Sequence, residues 1–301
     1  MDFINTKISE QSEEPRDGVL YVVGTPIGNL GDLSPRAIGV LKKVSAIACE
    51  DTRRSGQLMR ILGERKTLVS FHRHNTQRRI PTIISWLREG ESIALVSDAG
   101  LPGISDPGEE LVFVARSKGF EIICIPGPCA ATTALISSGL PTDRFCFEGF
   151  IPIKGKQRRT RLEDIAEEKR TSIIYESPQR LVKLLEELLV LCGGERPMQV
   201  ARELTKVHEQ QIGPDINSAL KYFKENNPKG EFTLILGGKM VQNVKVNYKQ
   251  LMSEVNRLIE NGESASNATK EIAKKEGVSK RYLYELLHLQ DSDKKISNSN
   301  I

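Results

Sequence analysis

From Val19 to Gly238 the chain alternates short runs of β-branched and apolar residues with longer amphipathic stretches. The short runs read as strands: VLYVVGT (19–25), AIACE (46–50), TLVSF (67–71), SIALVSD (92–98) and EIICIPG (121–127). A later set follows: RFCFEGF (144–150), TSIIYES (171–177), MQVARELT (198–205), QQIG (210–213) and EFTLILGG (231–238). Between them, apolar residues recur at three-and-four spacing, as in Leu181, Leu184, Leu185, Leu188 and Leu191, the stripe of a helix with one buried face. Ser34-Pro35 adds a start signal, because serine can cap a helix and proline at its first position loses no hydrogen bond. This rhythm predicts an α/β protein with substantially parallel sheets.

Proline and glycine punctuation in PGPCAATTALISSGLPTDR (126–144) suggests a break between two α/β domains, over 18–127 and 128–240. After Gly238 the strand pattern stops, and 241–290 reads as a small C-terminal helical extension. Within it, ATKEIAKKEGVSKRYLYELLHL (268–289) has a helix-turn-helix pattern, with Ser279 as cap and Lys280 and Arg281 in the next first turn. That pattern suits nucleic-acid docking or a plain helical hairpin. A polar leader (1–17) and tail (291–301) are expected to be disordered.

Composition narrows the class. Of 301 residues, 39% are hydrophobic before glycine is counted, enough for a core and against wholesale disorder. No apolar run approaches the roughly 18 residues of a membrane helix, and the acidic leader lacks the apolar segment of a secretory signal. Five cysteines with no C-x-x-C pair read as reduced thiols of a cytoplasmic protein. The net charge of +4 is too small to demand a nucleic-acid partner, but the leader is acidic. The cationic excess therefore gathers in 151–161 and near 270–281.

In open α/β sheets, ligands sit beyond the carboxyl ends of the strands. GTPIGNLGDLSP (24–35) follows the first strand but lacks the G-x-G-x-x-G of a dinucleotide fold, although Glu50 and Asp51 imitate its acidic ribose ligand. Neither a phosphate-binding G-x-x-x-x-G-K-[ST] nor a G-x-S-x-G elbow occurs. SDAGLPGISDPGEE (97–110) offers exposed backbone after the fourth strand. Asp98-Ala99-Gly100 suits a polar ligand such as a ribose, whereas Asp106-Pro107-Gly108 reads as the cap of the next helix. His72 and His74 are two apart and complete no ligand set, so no metal is expected. Arg73, Arg78 and Arg79 suit phosphate contact or a solvated loop. IPIKGKQRRTR (151–161) holds five bases and no acid, and reads as a mobile cationic loop for phosphate.

Taken in order, VGTPIGNLGD, ACEDTR, HRHN, LVSDAGLPGISDPG, PGPCAA, GLPTDRFCFEGF, YESPQRL, ARELTKVHE and PKGE resemble one family. It is the ribosomal RNA small-subunit methyltransferase I group of the tetrapyrrole methylase superfamily. The resemblance implies 2′-O-methyl transfer from S-adenosylmethionine to a cytidine in the decoding region of 16S rRNA, within the small ribosomal subunit. It also implies two α/β domains with the cofactor in the cleft between them, and a homodimer. Carried over by motif, Asp98, Ala99, Gly100 and Ile104 would hold the cofactor, with Cys129 and Ala130 under its amino-acid end. Tyr175, Glu176, Leu204, Gly230 and Glu231 fall where adenosine contacts are expected. Thr25, Pro26, Gly28, Asn29, Arg53 and Arg73 would line the substrate side, and Lys154, Lys156, Arg158 and Arg159 would meet the RNA backbone. The chain departs from the pattern at Leu101, Gly103, Arg73 and Cys129, the last in place of the usual serine.

A ribose hydroxyl is a poor nucleophile until its proton is removed or its oxygen polarised. Asp51 and Glu203 are the candidate bases and Lys206 the candidate cation for the developing alkoxide; each equally suits an interdomain salt bridge. Two other classes compete. A tetrapyrrole or corrinoid methylase would need a large apolar trough, and a helix-turn-helix DNA-binding regulator would depend on the residues after 240.

Overall fold

The computed structural model describes residues 14–239, 248–276 and 278–287, and its contacts separate a unit ending at Met240 from one beginning at Val241. The first unit contains all ten expected strands. Five of them, β1 (Leu20–Val23), β2 (Ala46–Cys49), β3 (Thr67–Ser70), β4 (Ile93–Val96) and β5 (Ile122–Ile125), form a parallel sheet in the order β3-β2-β4-β1-β5. The strands β1, β2 and β4 are buried along their whole length, as a parallel sheet covered on both faces requires. Side chains alternate between two cores. Tyr21 and Val23 face α1 (Pro35–Lys43) and α2 (Thr52–Ile61), while Leu20 and Val22 face α3 (Thr76–Arg88) and α4 (Glu109–Ser117). Ser34 caps α1 as its sequence suggests, its hydroxyl accepting from Ala37 N–H at 3.1 Å.

The second sheet corrects the expectation of parallel strands. It comprises β6 (Phe145–Phe150), β7 (Thr171–Glu176), β8 (Met198–Arg202), β9 (Gln210–Ile212) and β10 (Phe232–Leu236), in the order β6-β7-β10-β8-β9. Only β6 and β7 are parallel; β10 runs against both neighbours and β9 against β8. Residues 203–209 are too few for the crossover that parallel strands demand, so β8 and β9 pair as a hairpin. One face packs on α6 (Gly155–Glu167), α7 (Pro178–Cys192) and α8 (Ile216–Glu225), with Leu181, Leu184, Leu185 and Leu188 fully buried. Leu191, assigned to the same stripe, is instead largely exposed near the end of α7. The other face is covered by α5 (Ala130–Ser137), whose Ala131, Ala134 and Leu135 meet Ile173, Ala201 and Ile235.

Two further differences concern charge. Residues 155–161, expected to belong to a mobile loop, are the first two turns of α6. Arg158 lies on the inner side of that helix, only 5% exposed, donating to Glu187 and to the Pro152 carbonyl at 2.9 Å. It is an internal anchor and is not free for phosphate, whereas Lys154, Lys156 and Arg159 are exposed. Of the leader, residues 14–17 are described: Glu14 pairs with Arg36, and the Arg16 N–H donates to the Tyr21 hydroxyl at 2.8 Å. Residues 1–13 and the tail lie outside the described residues.

The second unit holds α9 (Tyr248–Glu260), α10 (Ala265–Glu276) and a helical run over 280–287 around Val255, Ala268, Ile272 and Leu283. The Ser279 hydroxyl accepts from Tyr282 N–H at 3.4 Å, a cap for that run; Gly277 of the expected turn lies outside the described residues. Among the described residues no helix is long and apolar enough to cross a membrane.

Candidate functional site

The carboxyl ends of β1 and β4 are tied together: Thr25 and Gly100 exchange backbone hydrogen bonds of 2.9 and 3.0 Å. The Thr25 hydroxyl donates to the Ser97 carbonyl at 3.2 Å, which occupies the hydroxyl inside the protein. On the other side of β1, Gly24 and Gly127 touch backbone to backbone, since a Cβ on Gly24 would come within 2.7 Å of Gly127 Cα. Beyond this knot the segment 97–108 turns back sharply. Gly100 (φ 82°), Gly103 (φ 85°), Ser105 (φ 65°) and Gly108 (φ 151°) all lie at positive φ, which the glycines adopt freely and Ser105 does not. The Arg73 guanidinium, reaching from the β3–α3 connection, donates to the Ser105 carbonyl and holds that residue in place.

This segment forms one wall of a cavity of about 350 Å³. Ile27, Ala99, Gly100, Leu101, Ile104, Ser105 and Asp106 come from the first-sheet side, and Cys129 and Ala130 from the start of α5. Phe150, Tyr175, Glu176, Ala201, Leu204 and the stretch Gly230–Thr233 come from the second sheet and its loops. Ten of the eleven residues expected to hold a cofactor therefore converge on one cavity. Asp98 does not line it. Its carboxylate turns toward the end of β2, accepting from Asp51 N–H at 3.0 Å and lying 3.5 Å from Arg54, beside a smaller recess that includes Thr25 and Pro26.

The second-sheet wall is built on paired groups. The Tyr175 hydroxyl accepts from Ala131 N–H at 3.1 Å, and Phe147 and Phe150 meet its ring edge-on at 5.1 and 5.6 Å. Burial pushes the Tyr175 phenol well above its ordinary value, so it stays neutral. Glu176 is 2% exposed; it accepts from Ser177 N–H at 2.8 Å and lies 3.0 Å from the Arg180 guanidinium. At the rim, the Lys206 ammonium bridges Glu203 at 2.9 Å and Glu231 at 2.8 Å, while Glu203 also accepts from Glu231 N–H at 2.9 Å. Burial raises the Glu203 carboxyl, but these donors outweigh it and leave its pKa lowered. Burial disfavours the Lys206 cation, yet its two carboxylate partners keep its pKa raised. Gly28 allows the first-sheet loop to approach this rim, because a Cβ there would fall 2.4 Å from Lys206 Cγ. Asn29 caps the short helical turn that follows, accepting from Gly31 N–H at 2.9 Å.

Both expected bases are held in ion pairs. Asp51 caps α2 and is clasped by Arg53, whose guanidinium lies 2.7 Å away; that hydrogen bond, first among the causes, holds its pKa down at about 2. Glu203 is neutralised by Lys206. Carboxylates so stabilised are poor proton acceptors. Asp106 is a further candidate, which its sequence context presents as a helix cap. The helix it was expected to cap starts at Glu109, with Gly108 at the N-cap position and no side-chain cap. Asp106 instead lines the cavity, where burial, followed by the nearby Glu50 and Asp98 carboxylates, lifts its pKa to about 6 against the pull of Arg73 and Ser97. Its burial beside two other acids has no local signal in the sequence. Phe150, at the end of β6, also lines the cavity, a position that follows from its place at a strand's carboxyl end. Among the described residues no group of three or more His, Cys, Asp or Glu is placed to hold a metal ion.

Comparison with known proteins adds relatives to this geometry. The Tetrapyrrole (Corrin/Porphyrin) Methylases family pattern matches residues 19–217. A Synechocystis protein named ribosomal RNA small subunit methyltransferase I is 45% identical over 89% of this chain and 97% of its own. Its namesake in Halalkalibacterium halodurans is 44% identical over 93% and 99%, and that of Escherichia coli O157:H7 is 47% identical over 77% and 82%. Among solved structures, a cobalt precorrin-4 methyltransferase aligns with a TM-score of 0.55 at 16% identity, over 73% of this chain and 95% of that one. The Thermus thermophilus uroporphyrin-III-C-methyltransferase aligns at 0.52 and 22%, over 73% and 94%. At those identities the likeness concerns the fold.

Proposed function

The chain belongs to the tetrapyrrole methylase family and, within it, to the ribosomal RNA small subunit methyltransferase I group, and from that premise we propose that it transfers a methyl group from S-adenosylmethionine to the 2′-hydroxyl of a cytidine in 16S rRNA. The observation that carries this reading is the near full-length match to relatives of that name, with the family's motifs converging on one cavity. The residues present fit the cofactor. Cys129 gives α5 no side-chain cap, so the helix start can offer backbone N–H groups to a carboxylate. Gly100, in its left-handed conformation, allows backbone to approach a ligand closely, and Ala201, Leu204 and Phe232 supply apolar walls for a ring.

When bound, S-adenosylmethionine supplies an electrophilic methyl carbon on a sulfonium. The protein's part is to hold donor and acceptor in line, which can supply several kcal/mol through proximity alone. Tyr175 fixes α5 against the second sheet, and Lys206 fixes the rim loops by tying Glu203 to Glu231. Exposed Lys154, Lys156 and Arg159 would meet RNA phosphates, positioning the substrate without reading its sequence. An assembled small subunit as substrate, a cytoplasmic location and a homodimer belong to the same reading.

Mapping 2′-O-methylation of 16S rRNA in cells with and without the gene tests it. One cytidine should lose its modification in the deletion strain and regain it on complementation; an unchanged map overturns the reading. In vitro, changing Lys154, Lys156 and Arg159 together to Glu should weaken RNA binding and flatten its salt dependence without lowering the melting temperature.

A further inference from the structure

We propose that Asp106 is the catalytic base that accepts the proton of the 2′-hydroxyl during methyl transfer, an assignment that rests on the function proposed above. Three carboxylates line the cavity: Asp106, Glu176 and Glu231. Glu176 is held by Arg180 and Glu231 by Lys206. Among the described residues Asp106 alone of the three forms no ion pair; the Arg73 guanidinium and the Ser97 hydroxyl are the nearby groups that favour its charge.

The backbone that presents it is tightly specified. Ser105, immediately before it, sits at φ 65°, a conformation that costs a serine about 1 kcal/mol or more and persists only where the surroundings impose it. They do so from two sides. Arg73 holds the Ser105 carbonyl, and Gly149 leaves room for the Ser105 hydroxyl, since a Cβ there would approach that oxygen to 3.1 Å. Pro107 and Gly108, both buried, fix the chain on the other side. Backbone strain next to a cavity-lining carboxylate that has no ion pair is a common mark of a working group.

The groups facing Asp106 explain its readiness to take a proton near neutrality. Glu50 at the end of β2 and Asp98 beyond β4 repel its charge, while Arg73 beyond β3 and the Ser97 hydroxyl favour it. Arg54 balances Asp98, and Arg73, Arg54 and His72 act on Glu50. On the opposite wall the Tyr175 phenol is neutral. In the step, the O–H bond breaks as its proton passes to the Asp106 carboxylate. The oxygen's electron pair forms the new bond to the methyl carbon, and the carbon–sulfur pair stays with sulfur, which leaves as a neutral thioether. Asp106 then returns the proton to solvent.

The test uses the full chain, with Asp106→Asn and Asp106→Glu. In the free wild-type protein, carbon NMR of the Asp106 carboxyl should show a titration near 6; a titration near 4 overturns the proposal. Binding of S-adenosylmethionine by calorimetry should change by less than about threefold in Asp106→Asn, while the single-turnover rate on small subunits falls about 100-fold or more. The wild-type rate should rise with pH through an acid limb near 6, which Asp106→Asn loses and Asp106→Glu displaces with partial recovery of rate. A rate within tenfold of wild type, an acid limb unmoved in either variant, or a cofactor affinity that falls as far as the rate each overturns the assignment. Should Asp106→Asn fail to fold, the position of the limb in Asp106→Glu decides. A wild-type protein that binds the cofactor but methylates no small-subunit RNA overturns the underlying reading and this assignment together. An active wild type with an indifferent Asp106→Asn overturns only the assignment.

Discussion

The two walls of the cavity are made differently. The first-sheet wall is mostly apolar or small, with Ile27, Ala99, Gly100, Leu101 and Ile104 set by a segment that holds three glycines and a serine at positive φ, and with one carboxylate left without an ion pair. The second-sheet wall carries more charge, yet each of its ionic groups has an opposite partner: Glu176 with Arg180, and Lys206 with Glu203 and Glu231. Visible charge is therefore a poor guide to reactivity. Ion pairs hold the second wall in shape, and the group able to change protonation near neutral pH lies in the plainer wall.

Four substitutions test this contrast, in descending order of expected effect. Gly230→Val should be the most damaging, because a Cβ would lie 2.5 Å from Glu203 Oε1 and the residue sits at φ 96°. Calorimetry and thermal melting should show lost cofactor binding and about 3 kcal/mol of lost stability. Lys206→Met should cost about 1 kcal/mol, since Glu203 and Glu231 lose their shared cation, but should slow single-turnover transfer less than about tenfold. A larger rate loss at undiminished cofactor affinity would return Lys206 to the chemistry.

The third substitution reads stability. Because the folded pKa of Asp106 is raised, its contribution to stability is fully present below its unfolded value of 3.8 and is lost as pH rises through about 6. Asp106→Asn should therefore melt higher than wild type above pH 6 and equally below about pH 4. The difference should be on the order of 1 kcal/mol, reduced from the full linkage value by partial solvent screening. Asp51→Asn should do least, keeping the melting temperature and a rate within about threefold of wild type, because asparagine still caps α2 and the acid lies off the cavity. A severe rate loss there would restore Asp51 as a base.

Much of this was legible in the sequence, for local reasons. The ten strands are β-branched runs bounded by turn residues, and all ten were found within a few residues of their ends. Gly100, Gly230 and Cys129-Ala130 were legible through the family's motifs. What stayed hidden depends on distant pairing. The antiparallel course of β10 is set by neighbours dozens of residues away, and Arg158 looked like a free cation because Glu187, its partner, lies on another helix. Asp106 looked like a helix cap because nothing near it in sequence reveals Glu50 or the cavity.

The chain crosses from the first-sheet elements to the second only once, at residues 126–130, where β5 gives way directly to α5. Genetic division between Gly127 and Pro128 would yield two fragments, each with a whole sheet and one part of the cavity lining. Recombined, such halves would be held more tightly by whatever fills the cavity, because its lining comes from both. The fold thus lends itself to a split reporter, in which reassembly of the fragments measures the concentration of the cavity's ligand.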